Sequence, residues 1–378
     1  AEICEDVWSP VPPSIQAARE GATVIVNCSA SDETIGKAAY RKSLIEGQSA
    51  RLMAAYIYAN AGEGESTTDL VFGGHNIISE NGTTLAEGER FKNGVVYAQI
   101  DVKRLISERR KNTTFKAARE RHLARVPFRL ELTETKLTRK FPSRPFVPDA
   151  KEERDRRCEE ILTIQAMGLK KRLAHTHARS AVVGISGGLD STLAILVTAR
   201  AFDMLGMDRS QIIAVTMPCF GTTDRTYNNA CQMALKLGAQ LREVRIADSV
   251  ESHFRDIGHD IEDHSVTYEN SQARERTQVL MDISNQTGGL VVGTGDMSEL
   301  ALGWATYNGD HMSMYGVNAS VPKTLVKYLV QWVAENGMDE NSKATLLDIV
   351  DTPISPELIP ADENGEIKQK TEDLVGPY

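Results

Sequence analysis

The chain has 378 residues, of which 41% are hydrophobic and 25% charged, and its formal net charge is −9. That length predicts two or three domains with packed cores, and the acidic balance argues against a nucleic-acid-binding surface as its main business. No apolar run approaches the roughly 18 residues that cross a bilayer, no secretory leader is visible, and five scattered cysteines fit a reducing, cytoplasmic setting.

In chain order, AEICED reads as a strand end and a turn, and ATVIVNC (22–28) as a buried strand. A start inside a sheet and an abrupt end at KTEDLVGPY lead us to expect a piece of a longer protein. A helix follows over 35–53 and a strand over 54–59. Strands at 70–79 and 95–100 are predicted around Asn81-Gly82, a strong hairpin signal. Residues 103–121 read as a charged helix and 128–132 as a last short strand. The run FPSRPFVPDA excludes helix and central strand and marks a linker, placed at 141–154 between domains at 1–140 and 155–378. The sign-alternating KEERDRR after it reads as a solvated helix start.

The second half alternates more regularly. A helix at 158–174 leads to strand 181–185, helix 192–202, strand 211–217, helix 226–237, strand 241–246, helix 270–284 and strand 289–293. Strands and helices in that alternation form a doubly wound parallel sheet, so the fold class is α/β.

The string SGGLDS sits between a buried strand and an apolar helix. That context aims backbone N–H groups at an anion. Gly187 and Gly188 let the backbone close on phosphate, Ser186, Ser191 and Thr192 add hydroxyls, and Asp190 calls for Mg²⁺ to separate it from phosphate. The G-K-[ST] of a P-loop is missing, which suits release of pyrophosphate with attack at the α-phosphorus of ATP.

SGGLDS resembles the pyrophosphate loop of the N-type ATP pyrophosphatases. VVGTGDMSELALGWATYNGD, MYGVNASVPKTLV and NSQARER, spread over 270–326, narrow the resemblance to the synthetase domain of glutamine-dependent NAD synthetases, over about 155–378. The resemblance implies ATP contacts from Ser186, Gly187, Gly188, Asp190, Ser191, Thr294 and Lys323, and Mg²⁺ ligation by Asp190 and Glu299. It implies deamido-NAD contacts from Asn270, Arg274, Glu299, Trp304, Ala305, Thr306 and Tyr307. Each residue also has a plainer reading: a helix-start acid for Glu299, core packing for Trp304 and Tyr307, a surface lysine for Lys323. Tyr307 and NGDHMSMY replace the Lys and Gly-rich acidic run of the short, ammonia-using synthetases and point to the long type.

EICEDVW resembles the nucleophile segment of nitrilase-type glutaminase domains, with Cys4 as nucleophile, and NCSASDETIGK implies glutamine contacts from Ser31 and Lys37. The base Glu and the Lys of that family lie upstream of this segment, so hydrolysis of glutamine by residues 1–378 alone is not expected, and the first half is read as an incomplete nitrilase-like α/β sandwich. The resemblance as a whole implies ATP-dependent amidation of deamido-NAD, with ammonia from glutamine, in a homo-oligomer built on synthetase-domain dimers. Another N-type amidotransferase, such as GMP or asparagine synthetase, and an inactive nucleotide-binding module are the alternatives.

Overall fold

The computed structural model describes residues 1–65, 69–118, 122–131, 133–220, 224–337 and 340–352. The chain divides into two compact units, with the boundary between Phe141 and Pro142. Among the described residues no helix is long and apolar enough to cross a membrane.

The first unit holds β1 (Glu2–Ile3), α1 (Pro13–Arg19), β2 (Val24–Ser29), α2 (Lys37–Leu52), β3 (Ala55–Asn60), β4 (Ile77–Glu80), β5 (Thr83–Glu87) and α3 (Val102–Lys111). Its five-stranded sheet runs β1-β2-β3-β4-β5, with β1, β2 and β3 parallel and the last two antiparallel. Strand β2 alternates exposed and buried positions, and its inward Ile25 joins Val7, Ile45, Leu52, Tyr56, Tyr58 and Ile77 in the core.

Four expectations are corrected here. The Asn81-Gly82 turn is present, both residues at positive φ, but such a turn leads straight into its second strand. That strand is 83–87 and not 95–100, and residues 95–100 stay outside the sheet. Its first strand is also short, because Gly73 and Gly74, the latter at φ +61°, break the run before Ile77. The charged helix stops at Lys111, where the Asn112 side chain accepts from the Thr114 and Phe115 amides and turns the chain away. Residues 128–131 form no strand and stay exposed; Leu132 and 119–121 lie outside the described residues.

The second unit holds α4 (Lys151–Thr176), β6 (Ala181–Gly184), α5 (Leu189–Leu205), β7 (Ile212–Thr216), α6 (Asp224–Lys236), β8 (Gln240–Glu243), α7 (Ala247–Ile257), α8 (Val266–Thr287), β9 (Leu290–Gly293), α9 (Met297–Leu302), β10 (Tyr315–Gly316), α10 (Lys323–Asn336) and α11 (Glu340–Val350). Helix α4 begins inside the expected linker, because the charged KEERDRR is its first two turns. Helices α7, α10 and α11 and strand β10 were not foreseen.

The sheet is wholly parallel in the order β10-β9-β6-β7-β8. Its central strands are buried on both faces, which is why they read as unbroken apolar runs. Ala181 and Val183 face one layer with α4, α5 and α10, while Val182 faces the other with α7 and α8. The winding reverses between β6 and β9. The loops leaving those two strands therefore diverge and open a crevice at the carboxyl edge, where open α/β sheets bind ligands.

Candidate functional sites

The loop after β6 is Ile185–Gly188, and Gly188 is the N-cap of α5. Lacking a side chain, Gly188 leaves the first amides of α5 facing the crevice. The hydroxyls hold the loop in shape. Ser186 Oγ accepts from Gly188 N at 3.2 Å, Ser186 N donates to Ser191 Oγ at 3.3 Å, and Thr192 Oγ1 donates to the Gly188 carbonyl at 2.8 Å. Gly187 sits at φ +83°, and a Cβ there would lie 2.1 Å from the Thr226 carbonyl oxygen of α6.

Four charged groups meet behind this loop. Lys323, at the start of α10, places Nζ 2.6 Å from Asp190 Oδ2, 2.8 Å from Asp296 Oδ2 and 2.9 Å from Glu299 Oε1. Asp190 comes from the first turn of α5; Asp296 caps α9 by accepting from the Ser298 and Glu299 amides; Glu299 returns a bond from the Asp296 amide. The plain surface reading of Lys323 fails, because only 6% of its side chain is exposed. For Glu299 the helix-start and cluster readings both hold. Burial works against the Lys323 charge, but the three carboxylates overcome it and hold the pKa above its ordinary value. Burial likewise raises Glu299, against the pull of Lys323.

Ligand atoms of Asp190, Asp296 and Glu299 lie within 4.8 Å of one another. Three carboxylates face a single ammonium, and Asp190 Oδ1 is buried with no hydrogen-bond partner among the described residues. That donor set fits a hard divalent cation such as Mg²⁺.

Sequence reasoning missed Asp296 and Asn318. For Asp296 the capping-box spacing D-x-x-E was an available signal. Asn318 is fully buried and donates to the Asp190 and Thr294 carbonyls, both at 2.9 Å, tying the first turn of α5 to the loop after β9. Gln165 of α4 donates in turn to Asn318 Oδ1 at 3.1 Å. Asn318→Ala is expected to lower stability by about 2 kcal/mol, since two buried carbonyls lose their donor, and to weaken ATP binding; calorimetric titration with ATP measures the second effect.

The remaining predicted residues lie on α8 and the loop after α9. Asn270 and Arg274 stand one turn apart on α8, and Arg274 Nε donates to the Tyr307 carbonyl at 3.2 Å. Thr277 Oγ1 donates to the Gly309 carbonyl at 2.7 Å, and Thr306 bonds Asp310 within the loop. Trp304 and Tyr307 are 39% and 75% exposed, so neither is core packing. A cavity of about 440 Å³, lined by Pro218, Cys219, Phe220, Asp224, Tyr227 and Arg245 among others, opens past the ends of β7 and β8. It was not foreseen. The first turn of α6 borders both it and the phosphate-type loop, through Asp224 and Tyr227 on one side and Thr226 on the other.

In the first unit Cys4 follows β1 at φ +45° and opens a 3-10 turn, Cys4–Trp8. Its amide donates to Asn27 Oδ1 at 3.1 Å, and Ser29 Oγ donates to Cys4 Sγ at 3.6 Å. Asp6 is occupied as acceptor of the Ile3 amide at 2.7 Å. Lys37 Nζ stands over the Trp8 ring and pairs with Asp32 at 2.5 Å. Ser31 precedes Asp32 and is held by Asn60 and by the buried Arg41, whose Nη2 donates to Ser31 Oγ at 3.3 Å and to the Asp32 carbonyl at 3.1 Å.

Fold and sites together define a nitrilase-like α/β unit followed by a Rossmann-like unit. Residues 1–110 match the carbon-nitrogen hydrolase family and residues 161–341 the NAD synthase family. Along its whole length the chain is similar to glutamine-dependent NAD(+) synthetases. It is 47% identical to the glutamine-dependent NAD(+) synthetase of Mycobacterium leprae, over 100% of this chain and 58% of that protein. The corresponding protein of Thermotoga maritima is 28% identical over 87% of this chain and 56% of its own length. The chain thus spans just over half the length of the curated relatives it matches. Among solved structures, the glutamine-dependent NAD+ synthetase of Acinetobacter baumannii in complex with ADP aligns with a TM-score of 0.48 at 24% identity, over 93% of this chain and 58% of that one.

Proposed function

We propose that the second unit converts deamido-NAD to NAD at the expense of ATP, and that the whole protein draws the ammonia from glutamine. The observation that carries this is the meeting of an amide-lined, lysine-free loop with a buried acid–lysine cluster at the sheet's switch point. In this reading the substrate carboxylate attacks the α-phosphorus of ATP and pyrophosphate leaves into the Ser186–Ser191 loop. Ammonia then attacks the acyl carbon, AMP leaves, and the amide of NAD is formed. No covalent protein intermediate is required, so the residues bind, orient and neutralise charge.

The residues assigned to ATP are Ser186, Gly187, Gly188, Asp190, Ser191, Thr294 and Lys323, with the cavity beside α6 suited to the nucleoside. Asp190 and Glu299, joined by Asp296, would hold Mg²⁺, which when bound supplies countercharge for the triphosphate. Lys323 then exchanges a carboxylate for a phosphate oxygen. Asn270, Arg274, Glu299 and the loop of Trp304, Ala305, Thr306 and Tyr307 are assigned to deamido-NAD. In the first unit Cys4 is the nucleophile toward the amide carbon of glutamine, with Ser31 and Lys37 as glutamine contacts. The same reading places the protein in the cytoplasm as a homo-oligomer joined through synthetase domains.

The test supplies deamido-NAD, ATP and Mg²⁺ with either ammonium or glutamine and follows AMP and NAD. The expected result is equimolar AMP and NAD with ammonium. In the full-length protein Cys4→Ser should abolish the glutamine-driven reaction and leave the ammonium-driven one unchanged. Folded protein that binds ATP yet forms no AMP would overturn the enzymatic reading in favour of a nucleotide-binding module.

A further inference from the structure

The turn that carries Cys4 stands on the inward face of β2, and two residues of that face reach it. Asn27, fully buried, grips its backbone from both sides: Oδ1 accepts from Cys4 N at 3.1 Å and Nδ2 donates to Cys4 O at 3.4 Å. The amide orientation follows from the proton inventory. Tyr56, buried against the Glu2 carboxylate, keeps its proton, because burial first and the carboxylate second raise its pKa well above the ordinary phenol value. It therefore donates to Glu2, and its oxygen accepts from Asn27 Nδ2 at 3.3 Å. That leaves Oδ1 for the Cys4 amide and fixes a backbone conformation that residues other than glycine seldom adopt.

Ser29 reaches the sulfur. Its hydroxyl lies 3.6 Å from Cys4 Sγ and 2.6 Å from the Tyr58 hydroxyl, and Tyr58 is 1% exposed. With the Ser29 proton aimed at sulfur, the Tyr58 proton has Ser29 Oγ as its acceptor, so the hydroxyls order as Tyr58 to Ser29 to Cys4. A thiolate accepts such a bond more strongly than a thiol, and the thiolate is the nucleophilic form.

We propose that Ser29, backed by Tyr58, is a positioning residue that stabilises the Cys4 thiolate, while Asn27 fixes the backbone presenting it. The proposal rests on the reading of Cys4 as the glutaminase nucleophile.

The experiment alkylates the full-length protein with iodoacetamide and follows the Cys4 and Cys28 peptides by mass spectrometry. Cys28, on the opposite face of β2 and exposed, is the internal control. In Ser29→Ala the Cys4 rate near neutral pH should fall about tenfold, the effect of losing one charge-assisted hydrogen bond, while the Cys28 rate holds. Tyr58→Phe should give a smaller fall, and Ser29→Thr, which keeps a hydroxyl, should restore the rate. In strongly alkaline buffer, where every thiol is ionised, the variants should converge. Glutaminase kcat should drop in parallel with KM unchanged. If Ser29→Ala fails to fold, the Ser29→Ala/Tyr58→Phe pair removes both hydroxyls without orphaning either. An unchanged Cys4 rate, or a Ser29→Thr protein as slow as Ser29→Ala, overturns the proposal. Full glutaminase activity in Cys4→Ser would instead overturn the nucleophile reading, whatever the alkylation rates show.

Discussion

Replacing Lys323 by methionine is expected to lower stability by about 3–5 kcal/mol, the cost of leaving buried charge without its partner. Methionine fills most of the lysine's volume, so the loss is electrostatic rather than a cavity. Asp296 has no exposed side-chain surface, and Asp190 and Glu299 show 22% and 25%, so water can do little to compensate. The pH dependence separates this from a packing defect. Burial raises Asp190 to about 7, against the pull of Lys323 and with Glu299 and Asp296 adding to the rise. A carboxyl whose folded pKa exceeds its unfolded one binds its proton longer in the native state, so stability falls as pH rises from about 4 to about 7. Without Lys323 that fall should deepen and reach higher pH, and Mg²⁺ should recover part of it. Denaturation midpoints over that pH range, with and without Mg²⁺, measure all three effects. AMP formation should be lost at every pH. A variant as stable as the parent and indifferent to Mg²⁺ would show that the cluster is not an uncompensated charge site.

Gly187→Ala should be the most damaging single methyl in the second unit. The added carbon would lie 2.1 Å from the Thr226 carbonyl oxygen, a backbone atom with no side-chain freedom to retreat, at φ +83°. The left-handed conformation alone costs about 1–2 kcal/mol for a residue with a Cβ, and the overlap forces the loop away from α6. Gly206 supplies the control. It sits at φ +68° just past α5, but a Cβ there meets nothing within 4 Å. Gly206→Ala should therefore carry only the conformational cost and retain activity, while Gly187→Ala loses ATP-dependent AMP formation. Equal activity in the two proteins would mean that close packing of the loop on α6 is not required for the reaction.

Some features are legible because local chemistry decides them. Strands β6, β7 and β9 are apolar at nearly every position because both faces are covered, and Asn81-Gly82 turns tightly whatever surrounds it. SGGLDS marks a strand–turn–helix junction through two glycines and a helix start. Other features depend on partners that a local pattern does not contain. Residues 95–100 (VVYAQI) are rich in strand-favouring side chains, yet a strand exists only where another backbone offers its hydrogen bonds, and the turn at 81–82 had already committed residues 83–87 to that place.

By itself, then, the sequence determined the α/β class and marked the loop residues with their acid Asp190, since these follow from residue type and nearest-neighbour spacing, while Glu299 came from the family resemblance and Asp296 was missed. Only the tertiary structure decided that Lys323, 133 residues from Asp190, neutralises it and does not sit at the surface. Only the tertiary structure brought Asn318 between the start of α5 and the loop after β9, and Ser29 under Cys4. The physical reason is shared: burial turns a modest attraction between distant residues into a strong one, and which residues are buried together is a property of the packed sheet.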